Sequence, residues 1–141
     1  MEERELQEMI VRLRQQQLSA EAISQQLAFI QTSISDHEDA ITAIKQIKDM
    51  KTGGELIVPI GAGSYIYATL SSVDKIILEL GSGVSAEKDP DGAVTSLTER
   101  KDDLTETYKK MSEALAKSEE EIQRLQSIVQ TRVAQSQQHT H

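Results

Sequence analysis

All seven glycines and both prolines of this chain fall between Gly53 and Gly92, and residues 1–52 and 93–141 contain neither. Glycine and proline are the strongest breakers of regular helix. Two long unbroken flanks around a punctuated centre therefore predict two helices joined by something that is not helix. The centre reads as short strands.

The first helix spans about Glu3–Lys51. Steps of three and four from Leu6 reach Leu6, Met9, Leu13, Gln16, Ala20, Ile23, Leu27, Ile30, Ile34, His37, Ile41 and Ile44, and only Gln16 and His37 are polar. A 3.5-residue repeat sustained this long is a coiled-coil seam, and at ~1.5 Å per residue it makes a rod on the order of 70 Å. Glu2, Glu3, Glu5 and Glu8 at its start and Lys45, Lys48 and Lys51 at its end complement the helix dipole. Gly53-Gly54 is the stop signal.

The last helix starts at Asp89-Pro90-Asp91, with Asp89 as N-cap and Pro90 in the first helical position. Its seam runs Val94, Leu97, Lys101, Leu104, Tyr108, Met111, Leu115, Ser118, Ile122, Leu125, Val129 and Arg132. Gln135–His141 has lost the pattern and is expected to fray. If the chain turns back on itself, facing seam positions have a constant number sum. A sum of 138 sets Ile44 by Val94, Ile41 by Leu97, Ile34 by Leu104, Leu27 by Met111 and Leu13 by Leu125. It also brings His37 beside Lys101 and Ala20 beside Ser118. His37 is best read as a polar layer that sets register. His139 and His141 make too poor a donor set for a metal site.

Within the centre, Leu56–Ile60, Tyr65–Leu70, Lys75–Leu80 and Val84–Lys88 carry β character. G-A-G-S separates the first two and G-S-G the last two, as hairpin turns do. Ile66, Ala68 and Leu70 share one face, as do Ile76, Leu78 and Leu80. Two isolated hairpins are marginal in water and leave strand edges unpaired. The expected solution is pairing with other subunits into a closed barrel through Leu56, Val58, Ile60, Ile66, Ala68, Leu70, Ile76, Leu78, Leu80 and Val84. The fold class is thus α+β, a long antiparallel coiled-coil hairpin whose two central β-hairpins assemble into an intersubunit β-barrel. One unit over 1–141 is expected, with helix over 3–52, the oligomerisation region over 53–89 and helix again over 90–138.

A formal charge of −8 argues against nucleic acid, which needs a basic footprint. With no cysteine, thiol catalysis and thiolate metal sites are excluded. No apolar run approaches the ~20 residues that cross a bilayer, and the N-terminus has no signal-peptide pattern. A soluble cytoplasmic protein without membrane contact is expected. Phe29, Tyr65, Tyr67 and Tyr108 are the only aromatics, too few for a roofed aromatic pocket. Gly61-Ala62-Gly63-Ser64 lacks the following helix and lysine of a phosphate loop. No constellation fit for catalysis and no cofactor site is expected.

Helix, L-I-V-P-I-G-A-G-S-Y-I-Y-A, two hairpins, helix: the chain resembles the prefoldin family, and specifically its α-type subunits. The motif Val58-Pro59-x-Gly61-x-Gly63-Ser64-x-Ile66, with the later G-x-G at Gly81 and Gly83, carries the resemblance. Two hairpins fit the α class, since β subunits carry one. The resemblance implies an ATP-independent holdase of archaea or eukaryotes, a hexamer of two α and four β prefoldin subunits. It implies that unfolded client proteins are captured between coiled-coil arms and passed to a group II chaperonin. A client surface is expected where the stripe widens at the free helix ends, at Leu6, Met9, Ile10, Leu13, Leu125, Ile128, Val129 and Val133. Leu18 is a further apolar residue outside the seam. The alternative is a structural or tethering coiled-coil oligomer without clients.

Overall fold

The structure, a computed structural model, describes residues 2–138. In order it comprises α1 (Glu2–Lys48), β1 (Glu55–Gly61), β2 (Ser64–Thr69), β3 (Ile76–Gly81), β4 (Val84–Lys88) and α2 (Pro90–Gln138). The helices occupy the two glycine-free flanks. Their close contacts divide into two compact units, one pairing α1 up to Thr32 with α2 from Thr105 onward, the other spanning Ser33–Leu104.

In the Ser33–Leu104 unit, α2 is capped as its sequence dictates. The Gly92 N–H donates to Asp89 Oδ1 at 3.1 Å and the Ala93 N–H to the Asp89 carbonyl at 2.9 Å. A Cβ on Gly92 would stand 2.5 Å from that carboxylate oxygen, so glycine lets the cap settle on the first turn. α1 ends at Lys48 rather than at Lys51. The Asp49 and Met50 N–H groups donate three residues back, to the Gln46 and Ile47 carbonyls at 3.2 and 2.9 Å, tightening the last turn. The chain then leaves through Gly53 (φ +86°), whose N–H donates to the Leu70 carbonyl at 2.7 Å. Leu70 N–H returns a bond to the Gly54 carbonyl at 2.9 Å, so the first hairpin's ladder claims backbone that the helix pattern left open.

The four strands form two separate antiparallel sheets, β1-β2 and β3-β4. Val58 faces Ile66 and Ile57 faces Tyr67 in the first, while Leu78 faces Ala86 in the second. Both turns are the same device. Gly61 pairs with Ser64 and Gly81 with Val84, each after a register shift, leaving Ala62-Gly63 and Ser82-Gly83 at the tips. All of these tip residues have positive φ (Ala62 51°, Gly63 72°, Ser82 53°, Gly83 77°), the twist-matched pattern of tight hairpins.

The core of this unit is Ile41, Ile44, Leu78, Ala93 and Leu97, flanked by Ala40, Ile76 and Val94. It brings Ile41 and Ile44 of α1 together with Ala93, Val94 and Leu97 of α2, and it docks the second hairpin on the helix pair. Arg100 Nη2 donates to the Glu79 carbonyl at 2.8 Å and Lys88 Nζ to Ser96 Oγ at 2.8 Å, fastening the same hairpin to α2. His37 is half-buried, and its Nδ1 donates to the Ser33 carbonyl at 2.6 Å.

In the other unit, every seam position from Leu6 to Ile30 and from Tyr108 to Arg132 is buried or half-buried, with Leu125 at 2% exposure. Arg132 Nη1 lies 3.3 Å from Glu5 Oε2, one residue from the expected pairing of Leu6 with Arg132. Gln135–Gln138 is helical, where loss of the pattern predicts fraying. Helices routinely run past their last packed turn when the final residues, here alanine, serine and glutamines, have adequate propensity. His139 and His141 lie outside the described residues.

Candidate functional site

Two surfaces are candidates, one in each unit. The first is the β1-β2 hairpin. A strand pair buries one face at most, and here it buries almost nothing. Leu56, Ala68 and Leu70 are half-buried, while Val58, Ile60 and Ile66 on or near the same face are open. The opposite face is apolar as well. Ile57 and Tyr65 are each 64% exposed and Tyr67 82%. Neither outer edge of this sheet has a partner strand among the described residues. Its unmet needs are therefore backbone pairing at the edges and cover on both faces.

The ten residues expected to mediate assembly do not lie together. Leu78 is only 7% exposed and belongs to the chain's own core, with Ile76 packed against it. Their apolar area is spent within the chain. Leu80 and Val84, at the tip of the second hairpin, are open. Ile57, Tyr65 and Tyr67 lie outside the expected set. For Ile57 the signal was the run Leu56–Ile60, which does not alternate and so demands cover on both faces, and Tyr67 faces it across the sheet.

The second surface lies near the helix ends. Of its eight expected residues, Ile10 and Val133 are exposed, Leu6, Met9, Leu13, Ile128 and Val129 are half-buried, and Leu125 is sealed between the helices. Met9 lines an open cleft of ≈ 310 Å³ with Glu5, Glu8, Arg12 and Arg132. Ile128 lines another of ≈ 300 Å³ with Ser127, Thr131, Arg132 and Gln135. Arg132 thus borders both, held by Glu5. Val11 and Phe29 on α1 are also exposed, and neither was expected to be functional.

Charge on the molecule is arranged in local pairs. Arg124 donates to both Glu121 oxygens at 3.1 and 2.6 Å, and this hydrogen bond holds the Glu121 carboxyl below the usual range and the Arg124 guanidinium above its own. Lys48 Nζ sits 2.6 Å from Asp91 Oδ1, and that bond, with the carboxylate's charge, raises the ammonium's pKa. No cluster of His, Cys, Asp and Glu that could hold a metal occurs among the described residues, nor does any helix long and apolar enough to cross a membrane.

Two long helices joined by two β-hairpins, the first open on both faces, define a class of coiled-coil subunit built around a strand platform. The family model for prefoldin subunits matches residues 15–135. The chain is 34% identical over 122 residues to a prefoldin subunit alpha of Methanococcoides burtonii, covering 86% of this chain and 88% of that one. It is 35% identical over 126 residues to that of Methanosarcina mazei, covering 87% and 89%. Against the subunit alpha of Methanothrix thermoacetophila it is 38% identical over 110 residues, covering 78% and 72%. In fold it is similar to a filamentous PFD from Methanocaldococcus jannaschii solved by cryo-EM, with a TM-score of 0.70, 18% identity, and coverage of 82% of this chain and 95% of that one. The chain belongs to the prefoldin family, on the alpha side of it, and with that membership goes a chaperone-associated role.

Proposed function

We propose that the chain is the α-type subunit of an ATP-independent holdase. The observation that carries this reading is the first hairpin, whose Ile57, Ile60, Tyr65, Ile66 and Tyr67 are exposed on a two-stranded sheet without edge partners. Such a sheet is marginal in water and gains stability by adding strands from other subunits. Two copies of this chain and four β-type prefoldin subunits close these strands into intersubunit barrels. Leu56, Val58, Ile60, Ile66, Ala68 and Leu70 supply the apolar face, and Leu80 and Val84 extend it.

Clients are held by the other unit. Ile10 and Val133 meet an unfolded segment directly, and Met9 and Ile128 offer adaptable apolar floors in their clefts. Leu125 is reached only when the helix ends part. Each contact is weak, and several subunits acting together make the hold firm. The client then passes to a group II chaperonin in the cytoplasm.

Co-expression with a single-hairpin β-type subunit tests this. A two-to-four complex by light scattering, suppressing aggregation of a chemically unfolded protein without nucleotide, is expected. A complex that assembles and protects nothing would instead make the chain a tether. A chain that forms no complex with any β-type subunit ends the proposal.

A further inference from the structure

α1 carries a second heptad seam. Val11, Gln15, Leu18, Ala22, Gln25 and Phe29 follow one another at spacings of four and three, and all six are exposed. Val11 is 56%, Leu18 57% and Phe29 78% exposed. At 3.6 residues per turn they lie on the side of α1 away from Leu13, Ala20 and Leu27, which face α2. A 3-4 repeat of this kind is the pattern that meets another helix. Beyond Arg12 and Arg14 at its first turn, the surroundings carry little charge. Ala22–Ser35 contains no Asp, Glu, Lys or Arg, and from Gln15 to Ser35 Glu21 is the single charged residue. Exposed positions of α2 in the same unit are charged instead, among them Glu106, Lys109, Lys110, Glu113, Lys117 and Glu120.

The seam also reads the same in both directions: apolar, Gln, apolar, apolar, Gln, apolar. First and last, second and fifth, third and fourth all have position numbers that sum to 40. A palindromic surface is self-complementary under a two-fold axis. We propose that this face binds a second copy of this chain, two α1 helices packing antiparallel. Phe29 then lies on Val11 of the second copy and Leu18 on Ala22, large against small in each layer. Gln15 lies beside Gln25, and since each amide has donors and an acceptor the pair satisfies itself and sets the register. With a net charge of −8 two copies repel, and the uncharged stretch of α1 is where they approach without like-charge contact. The contact uses no β-hairpin residue, so it stands apart from assembly through the strands.

The absence of cysteine makes cross-linking clean. Full-length Val11→Cys and Phe29→Cys are prepared separately, mixed and oxidised, with each variant alone as control. The mixed dimer should exceed either self-linked product by roughly tenfold or more, because the paired positions share a high effective concentration. Identical positions lie roughly 27 Å apart in this register, beyond disulfide reach. Leu18→Glu in both chains should abolish the mixed product, and added salt should increase it by screening repulsion. Self-linked product equal to the mixed one, or no mixed product, overturns the proposal. If Phe29→Glu weakens client protection and leaves cross-linking of Leu18→Cys with Ala22→Cys unchanged, the face serves clients and the proposal falls.

Discussion

Ala62 and Ser82 hold left-handed backbone angles at the hairpin tips, a conformation that costs an L-residue with a Cβ on the order of 1 kcal/mol and that asparagine or glycine tolerates. Ala62→Asn should therefore raise the chain's unfolding free energy by about 0.5–1 kcal/mol in a denaturant titration. At the start of α2, Asp89→Ala removes the carboxylate that accepts the Gly92 N–H and should cost about 1 kcal/mol. Gly92→Ala sets two effects of like size against each other. Better helix propensity adds about 1 kcal/mol, and displacing the cap carboxylate removes about as much, so little net change is expected. Glu121 has its pKa lowered by the Arg124 hydrogen bond, so its contribution is present above the ordinary glutamate value and is lost as pH falls through the depressed one. An NMR titration should place its midpoint below the ordinary glutamate value, and Arg124→Gln should bring it back.

The two hairpins have nearly the same turn and are packed differently. The second is docked by Leu78 against Ile41, Ile44, Ala93 and Leu97 and by the Arg100 bond to Glu79. Leu78→Ala should cost about 2–4 kcal/mol of stability in the isolated chain, because it empties a buried site in a small core. The first hairpin has no such anchor, and Ile66 is largely exposed. Ile66→Asp should leave the circular dichroism spectrum and thermal midpoint of the single chain nearly unchanged while preventing complex formation with β-type subunits. A stable complex containing that variant would remove the first hairpin from the assembly. The contrast was not legible beforehand. Ile66 and Leu78 occupy like places in like sequence patterns, and alternation says which residues share a face but not which face meets the chain's own helices.

At the scale of the molecule, the same apolar character is divided between surfaces that stay open and seams that close. Ile10→Ser combined with Ile128→Ser should leave assembly intact, since both lie outside the strand unit, and should reduce suppression of client aggregation severalfold. Unaltered suppression would move client binding elsewhere. A cysteine pair at positions 27 and 111 should cross-link within the chain if the register with a constant sum of 138, which sets Leu27 by Met111, holds, and a pair that never cross-links would sink that register.

Sequence alone determined the helices, the strands and the seam. Helix and strand follow from local periodicity and from where glycine and proline fall, and the stripe that each helix buries follows from its 3-4 spacing. Only the tertiary structure decided how apolar area is spent. Leu78 and Leu125 read like their exposed neighbours, yet one is sealed between its own hairpin and the helices and the other between helices. Val11, Leu18 and Phe29 read as incidental beside a stronger seam, yet they stand in solvent. Exposure depends on which faces of distant segments meet, and no local pattern carries that information.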